Sequence, residues 1–201
     1  NPNYIGVVFD VSAPTFRHEM FSEYKANREQ MPEDLRKSIP YIRKIIEGFN
    51  IPIIEKSGFE ADDVIGTLAK KAEREGFTTY MMTPDKDYAQ LVSENTFMFK
   101  PGKAGGDAEI WGLNEVNFGI ETPEQVIDIL GLMGDSADNI PGCPGVGPKS
   151  AQKLVSDFKN IDGIYQNTDK LKGKQKENLV TFEEQVRLSK KLATIILDVP
   201  I

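Results

Sequence analysis

Residues 132–155, LMGDSADNIPGCPGVGPKSAQKLV, combine two features from which the fold can be worked out. The first is a pair of carboxylates, Asp135 and Asp138, whose oxygens suit a hard cation. The second is a Gly-rich turn at residues 145–147, followed by a helix predicted to begin at Pro148. Such a turn brings backbone N–H groups to a helix N-terminus, where they bind phosphate. The stretch predicts metal chemistry beside a phosphate-binding hairpin.

The composition is that of a soluble globular protein. The chain has 201 residues, 39% hydrophobic and 27% charged, enough for one large domain or one domain with an appended module. No apolar run approaches a membrane span of about 18 residues, and no signal peptide opens the chain, so we expect a cytoplasmic protein. Cys143 and His18 are the only residues of their types, which excludes an internal disulfide and a zinc-ligand set. Any metal is expected on oxygen ligands.

The net charge of −7 argues at first against a nucleic-acid partner, because phosphate binding depends on clustered Lys and Arg. The position of the charges matters more than their sum. If many of the 31 acidic residues converge on one site, bound divalent cations would cancel much of the excess locally. Net charge alone therefore does not decide the partner.

Acidic residues follow two predicted strands directly. Residues 5–9, IGVVF, end at Asp10, and residues 77–83, FTTYMMT, lead into Asp85 and Asp87. Ligands of parallel sheets bind beyond the carboxyl ends of the strands, so these acids are well placed for a site. The alternative for Asp10 is a surface residue that opens a turn.

Acidic residues also crowd the first turn of a predicted helix. Apolar spacing predicts that this helix begins at residue 61 and stops at Gly76. Glu60 lies directly before it, and Asp62 and Asp63 lie in its first turn. Simple capping would account for one or two acids at a helix N-terminus. Three within four positions repel one another and favour a bound cation.

Aromatic and basic residues alternate over residues 15–29, TFRHEMFSEYKANRE. The spacing predicts an amphipathic helix, which supplies Arg17, Lys25 and Arg28. One interpretation is a helix with an ordinary solvated face. The other is a helix that contacts phosphate beside the site.

The remaining segments are predicted without chemistry of their own. A helix over residues 31–49 should turn its apolar residues inward and kink or break at Pro40, and residues 51–55 form a strand. Residues 100–107, KPGKAGGD, form a loop whose lysines either touch phosphate or lie on a mobile surface. Helices with a Lys-rich patch at residues 170–176 follow the hairpin, and residues 193–199 are predicted as a strand.

Eight carboxylates share a position at a strand end or a helix boundary. They are Asp10, Glu60, Asp62, Asp63, Asp85, Asp87, Asp135 and Asp138. Without counter-charge they would repel strongly, so a site built from them needs cations. All-oxygen ligands suit Mg²⁺ or Mn²⁺, and two such ions are the usual apparatus for in-line attack of water on a phosphodiester.

Four stretches together resemble a known family. FDVSAPTFRHEMFSEYKANR, GFEADDVIGTLA, TPDKDYAQLV and GLMGDSADNIPGCPGVGPKSAQKLV are similar to motifs of the 5′-nuclease domain of bacterial DNA polymerase I, in the flap endonuclease superfamily. They occur in the family's order and cover nearly the whole chain.

The resemblance implies roles for particular residues. The eight carboxylates would be metal ligands, directly or through water, for two Mg²⁺ or Mn²⁺ ions. Arg17 and Lys25, with Arg28 as a weaker candidate, would contact the scissile phosphate. Gly145, Val146, Gly147 and Lys149 would form a helix-hairpin-helix that holds duplex DNA by its backbone, often with a K⁺ ion.

The resemblance also implies a fold and a domain organisation. The fold class is α/β, a three-layer PIN-like 5′-nuclease core with a mostly parallel sheet plus an all-helical helix-hairpin-helix module. The core would cover residues 1–115, the module residues 116–190, and a strand at residues 191–201 would return to the core. The family normally has another strand and metal-ligand Asp upstream of Asp10, so the resemblance suggests an internal fragment that lacks them. Polymerase domains would follow in the full-length protein.

Three functions are compatible with these observations. The first is a monomeric, structure-specific 5′-nuclease that hydrolyses phosphodiesters at 5′ ends and 5′ flaps of DNA in bacterial replication and repair. The second is an impaired fragment that binds duplex DNA without cutting it. The third, a metal phosphohydrolase for small molecules, is disfavoured by the hairpin. Cleavage of a flap substrate distinguishes the first from the second.

Overall fold

A computed structural model describes residues 2–102, 106–116 and 121–201. Lys103 of the predicted phosphate-contacting loop and residues 117–120 of the predicted module lie outside the described residues. No helix in these ranges has both the length and the hydropathy needed to cross a membrane.

The described strands form two small sheets with mostly parallel pairing. β1 (Val7–Val8) pairs parallel with β2 (Ile53–Ile54). In the second sheet β3 (Thr79–Met82) pairs parallel with β4 (Thr96–Lys100), and β4 pairs antiparallel with β5 (Glu109–Trp111). The predicted α/β class with mainly parallel pairing is confirmed.

The helices are more numerous than the strands. They are α1 (Phe16–Met20), α2 (Glu33–Gly48), α3 (Ala61–Arg74), α4 (Gln125–Met133), α5 (Pro148–Phe158), α6 (Ile161–Gln166), α7 (Gly173–Thr181) and α8 (Glu183–Ala193), with 3₁₀ helices at Lys86–Leu91 and Thr168–Lys170. The predicted start of α5 at Pro148 is confirmed, since proline at the first helical position loses no hydrogen bond there. The stop after α3 is also confirmed, with Gly76 at φ +84°.

Two hydrophobic clusters stabilise the chain. The first packs α3, the β3–β4 pair, the 3₁₀ helix Lys86–Leu91 and one side of α4 around Leu91 and Met98. The second lies among α4 to α8 around Leu132, Val155 and Leu179. Helix α4 contributes to both clusters, so it joins the α/β part to the helical part.

The strand predicted over residues 193–199 is wrong as secondary structure. Ala193 ends α8, and residues 194–199 form no helix and pair with no strand among the described residues. Their backbone groups bond instead to buried side chains, among them Gln90 and Thr67. Ala193 and Ile195 nevertheless pack in the first cluster.

Helix α2 differs from its prediction in two ways. It runs unbroken through Pro40, and none of its residues is buried. Leu35 and Ile45, predicted to face inward, are 50% and 59% exposed. Its apolar periodicity is real, but the apolar face is covered only in part, since Ile39 and Ile46 are half-buried while Leu35 and Ile45 are exposed.

Candidate metal centre and nucleic-acid surface

Asp85 and Asp87 lie at the start of the 3₁₀ helix that follows β3. Asp85 caps this helix, because its Oδ1 accepts the backbone N–H of Asp87 at 3.0 Å. Burial raises the pKa of Asp87 to about 7, and the negative charges of Asp85, Asp135 and Asp138 add to the rise. The Oδ1 atom of Asp87 is buried and has no hydrogen-bond partner among the described residues. A buried carboxylate oxygen without a donor fits a bound cation.

Asp62 lies in the first turn of α3 and faces the same acids. Burial raises the pKa of Asp62 to about 6, and the charges of Glu60 and Asp85 contribute, although the Tyr88 hydroxyl donates a 2.6 Å hydrogen bond to it. This bond connects α3 to the 3₁₀ helix that contains Asp87. Sequence reasoning missed Tyr88, whose only signal was its position next to Asp87.

Glu60 and Asp138 are joined by Tyr24 and Lys25. The Lys25 Nζ lies 2.6 Å from Glu60 Oε1 and 3.6 Å from Asp138 Oδ2. The Tyr24 hydroxyl lies 3.0 Å from Glu60 Oε2 and 3.2 Å from Asp138 Oδ2. Asp138 also pairs with Arg28. Acids from the two parts of the chain therefore share one network.

Asp10 and Asp135 lie at the margin of the network. Asp10 is exposed, and its Oδ1 accepts the N–H of Ala61 at 2.8 Å, which places it beside the α3 N-terminus. Asp135 accepts the N–H of Ala137 at 2.8 Å, and its Oδ2 lies 3.5 Å from Lys86 Nζ. Both positions agree with a site beyond the strand ends.

Within the described ranges, no three carboxylate, histidine or cysteine side chains are arranged as a ready-made metal site. Basic side chains contact four of the eight predicted ligands. Glu60, Asp138 and Asp135 pair with Lys25, Arg28 and Lys86, and Asp63 pairs with Arg17. In the same part of the chain, no salt bridge reaches Asp62, Asp85 or Asp87. The uncompensated acids and the orphaned oxygen of Asp87 fit a hard cation.

Asp63 does not fit the predicted role of metal ligand. Its side chain is fully buried, and both oxygens bond to the Arg17 guanidinium, at 2.7 and 2.8 Å. The backbone N–H groups of Glu60 and Ile196 also donate to it, at 3.1 and 2.8 Å. Because its lone pairs are occupied by these four donors, Asp63 serves the structure of the α3 N-terminus.

Arg17 likewise does not fit its predicted contact with the scissile phosphate. The side chain is 2% exposed. Besides Asp63, it donates to the carbonyl oxygens of Leu192 and Thr194, at 2.8 and 2.7 Å. A guanidinium with its donors bonded inside the protein has little capacity left for a substrate.

The hairpin before α5 presents an exposed helix N-terminus. Gly145 has φ +78°, where a side chain would strain the backbone and would also approach Asn178 Nδ2. Gly147 caps α5, and Lys149 lies exposed in the first helical turn. The first N–H groups of α5 have no intrahelical acceptor and are free to bind an anion.

Val146 corrects the prediction for this loop. Its side chain is 5% exposed in the second cluster, and its N–H donates to the Cys143 carbonyl at 3.0 Å. The side chain and the N–H of Val146 therefore anchor the turn, which leaves Gly145, Gly147 and Lys149 as the exposed members.

The turn that follows α1 binds the loop that contains Asp135 and Asp138. Lys25, at φ +56°, donates its backbone N–H to the Asp138 carbonyl at 2.9 Å. Asn27 Nδ2 donates to the Ser136 carbonyl and Asn139 Nδ2 to the Glu23 carbonyl, each at 2.6 Å. These bonds hold Lys25 over the acidic cluster.

An acidic cluster beyond the strand ends, joined to a helical hairpin with an exposed N-terminus, is the arrangement of a metal-dependent nuclease. A family model described as the N-terminal resolvase-like domain of 5′-3′ exonuclease matches residues 1–120. The model of the family's C-terminal SAM fold matches residues 121–201. The chain belongs to the 5′-3′ exonuclease family.

Curated relatives support the same family. The chain is 43% identical over 203 residues to DNA polymerase I of Bacillus subtilis (strain 168), a match that covers the whole chain and 23% of the relative. It is 38% identical over 196 residues to the thermostable DNA polymerase I of Thermus thermophilus, covering 97% of the chain and 23% of the relative. The chain thus spans 23% of the length of these relatives.

Solved structures confirm the fold. T5 5′-exonuclease with bound divalent metal ions (zinc) has a TM-score of 0.81 at 25% identity, over 95% of this chain and 74% of that one. The T5 D15 flap endonuclease in a pseudo-enzyme–product complex with DNA and metal ions has a TM-score of 0.80 at 25% identity, with the same coverage. The catalytic core of Rad2, at 18% identity and a TM-score of 0.57, shares the fold. The resemblance stated from the motifs is confirmed.

Proposed function

We propose that the chain is the 5′-nuclease domain of a DNA polymerase I and hydrolyses phosphodiesters at 5′ ends and 5′ flaps of DNA during replication and repair. The observation that supports this most directly is the buried Oδ1 atom of Asp87, which has no hydrogen-bond partner in the part of the chain that the structure describes and lies among acids of both halves of the chain. Membership of the 5′-3′ exonuclease family supports DNA as the substrate class, and so does the DNA in the complex of the similar T5 D15 flap endonuclease. Linkage to polymerase domains and a monomeric state belong to the same proposal.

Seven carboxylates are proposed to hold the divalent cations, Mg²⁺ or Mn²⁺. They are Asp10, Glu60, Asp62, Asp85, Asp87, Asp135 and Asp138, without Asp63 because Arg17 occupies its oxygens. The divalent metal ions (zinc) bound to T5 5′-exonuclease and the metal ions co-crystallised with T5 D15 protein support this use of metal. When bound, the cations would supply Lewis-acid polarisation of the phosphodiester.

Lys25 is proposed to act on the scissile phosphate. Its ammonium contacts Glu60 and lies near Asp138. Its backbone N–H donates to the Asp138 carbonyl, and this bond holds the residue over the acids. Release from Glu60 makes this ammonium available to stabilise charge that develops on the phosphate. Arg28, which is exposed and paired with Asp138, would bind the phosphate more weakly.

The hairpin is proposed to bind the duplex by its backbone. The α5 N-terminus, where phosphate binding is favoured, exposes Gly145, Gly147 and Lys149 to solvent. A K⁺ ion at this hairpin stays a prediction. Lys172 and Lys174 are exposed where α7 begins, and α7 contacts the hairpin through the 2.7 Å bond from Asn178 to the Pro144 carbonyl. The lysine patch therefore extends the same surface.

A flap-cleavage assay tests the proposed function. In Mg²⁺ or Mn²⁺ the protein should cleave a 5′-flap duplex. Asp85→Ala should reduce the rate on the order of 10³-fold, because metal contributes several kcal/mol to the transition state. Duplex affinity should change little. Asp34→Ala, an exposed acid on α2, is the matched control and should cleave normally. Duplex binding without any cleavage by the unchanged protein would favour the binding-module alternative.

The salt dependence of binding tests the DNA surface. Lys149→Ala should weaken duplex binding and reduce the slope of log K against log salt by about 0.9 for one lost phosphate contact. Lys44→Ala, an exposed lysine on α2, should leave the slope unchanged. Equal slopes for all three proteins, measured by fluorescence anisotropy from low to moderate salt, would remove the hairpin from the DNA surface.

A further inference from the structure

Gln90 connects the backbone of Asp87 to residues 192–199, the end of α8 and the residues that follow it, here called the C-terminal segment. Its Nε2 donates to the Asp87 carbonyl at 2.9 Å and to the Ala193 carbonyl at 3.1 Å. Its Oε1 accepts the Ile195 N–H at 2.9 Å. Gln90 is 7% exposed, so one buried amide satisfies three backbone groups.

The start of α3 is fastened to the same segment. Arg17 donates to the carbonyls of Leu192 and Thr194, and Asp63 accepts the N–H of Ile196 at 2.8 Å. Leu192 and Thr194 thus bond to Arg17 of α1, which is itself paired with Asp63 of α3, and Ile196 bonds to Asp63 directly. Ala193 and Ile195 bond to Gln90, in the 3₁₀ helix that contains Asp87. The segment sets the position of one helix relative to the other.

This connection acts on the spacing of the acids. Asp62 and Asp87 are both half-buried and both face the negative charge of Asp85, and repulsion would move their helices apart in the absence of other contacts. Loss of the amide would leave the Ala193 carbonyl and the Ile195 N–H without the side-chain partner that they have among the described residues.

We propose that Gln90 is a positioning residue of the metal site, which fixes the backbone of Asp87 against α3 through the C-terminal segment. The inference rests on the proposed function, in which Asp62 and Asp87 are metal ligands. Partners behind metal ligands commonly change metal affinity by about 10–100-fold when they are removed. The sequence indicated no role for Gln90, because it lies at a helical position that suits any polar residue.

Thr67 provides a matched control on the same segment. Its Oγ1 accepts the Val199 N–H at 3.1 Å and lies 3.4 Å from the Ile196 carbonyl. Thr67 is fully buried, but its side chain bonds to no backbone group of a residue proposed to bind metal. Thr67→Val should therefore lower the melting temperature without changing the metal site.

The test compares Mn²⁺ affinity in the unchanged protein, Gln90→Met, Gln90→Glu and Thr67→Val. Affinity is measured by titration calorimetry well below each melting temperature, together with the Mn²⁺ concentration that gives half-maximal flap cleavage. Both Gln90 variants should bind Mn²⁺ about 10–100-fold more weakly. Gln90→Glu should do so despite its added negative charge, because it no longer donates to the Asp87 carbonyl. Thr67→Val should keep the affinity.

A second measurement needs no variant. In the unchanged protein, Mg²⁺ should slow hydrogen exchange of the Ile195 amide, which bonds to Gln90, and leave the Val199 amide, which bonds to Thr67, unaffected. Equal slowing or no slowing of the two amides would overturn the inference.

Other outcomes are equally decisive. Unchanged Mn²⁺ affinity in folded Gln90 variants, the same loss in Thr67→Val, or no Mn²⁺ binding by the unchanged protein would each overturn the role of Gln90. Selective loss of Mn²⁺ affinity in the Gln90 variants, with no flap cleavage by the unchanged protein, would support the role of Gln90 and overturn the proposed nuclease function.

Discussion

Asp87→Asn should abolish flap cleavage while raising the melting temperature of the metal-free protein at pH 8. Asp87 is half-buried, its Oδ1 atom has no hydrogen-bond partner among the described residues, and burial together with the nearby acids raises its pKa to about 7. At pH 8 the ionised side chain is therefore unfavourable in the absence of metal. The neutral amide removes this repulsion, and each kcal/mol relieved should raise the melting temperature by about 2–4 °C.

The pH dependence of stability has a definite sign. The pKa of Asp87 is higher in the folded protein than in the unfolded chain. The resulting contribution of Asp87 to the free energy of unfolding is therefore fully present below about pH 4 and is lost as pH rises through about 7. The melting temperature of the metal-free protein should fall less between pH 5 and pH 8 in Asp87→Asn than in the unchanged protein. Scanning calorimetry with and without Mg²⁺ measures both effects, with Asp34→Asn as the control. A variant that is less stable at pH 8 than the unchanged protein would contradict the expectation.

Arg17→Met should be the most destabilising single change considered. The substitution leaves Asp63 charged and fully buried, and it removes the donors to the Leu192 and Thr194 carbonyls. Loss of one partner of a buried ion pair costs about 3–5 kcal/mol, which corresponds to a fall of about 6–20 °C in melting temperature. Urea unfolding followed by circular dichroism measures the loss.

The double variant Arg17→Met, Asp63→Leu is the control for this explanation. It removes the uncompensated charge and should recover part of the stability, because an apolar pair replaces a buried ion pair at small cost. A double variant as unstable as the sum of its single variants would show that the two side chains act independently. Full stability of Arg17→Met would exclude a structural role for the pair.

Much of the fold was predictable from local patterns. Apolar runs located β1, β2 and β3, although no strand was predicted at β5. Gly76 and Pro148 marked helix boundaries through rules that depend only on backbone chemistry. The convergence of Asp62, Asp85 and Asp87 was also predictable, since acids after strand ends meet at one side of the sheet. These signals depend on neighbours in sequence or on the topology of parallel sheets.

The errors concern side chains whose partners are distant in sequence. Asp63 and Arg17 were grouped with the ligands and the phosphate contacts because charge type alone does not reveal a buried pair 46 residues apart. The β-branched residues 193–199 favoured a strand, but Gln90 and Thr67 supply their hydrogen bonds. Val146 shares a turn with two glycines, and only packing shows that it faces the core. Whether the remaining acids bind metal stays a prediction.

The bonds between the turn after α1 and the loop of Asp135 and Asp138 limit how this chain can be recombined. They run from Lys25 and Asn27 to residues beyond the boundary between the two family models at 120 and 121. An exchange of the second half with that of a distant relative would replace two acids and the acceptors that hold Lys25 in one step. The two halves should therefore evolve, and be engineered, as an inseparable pair.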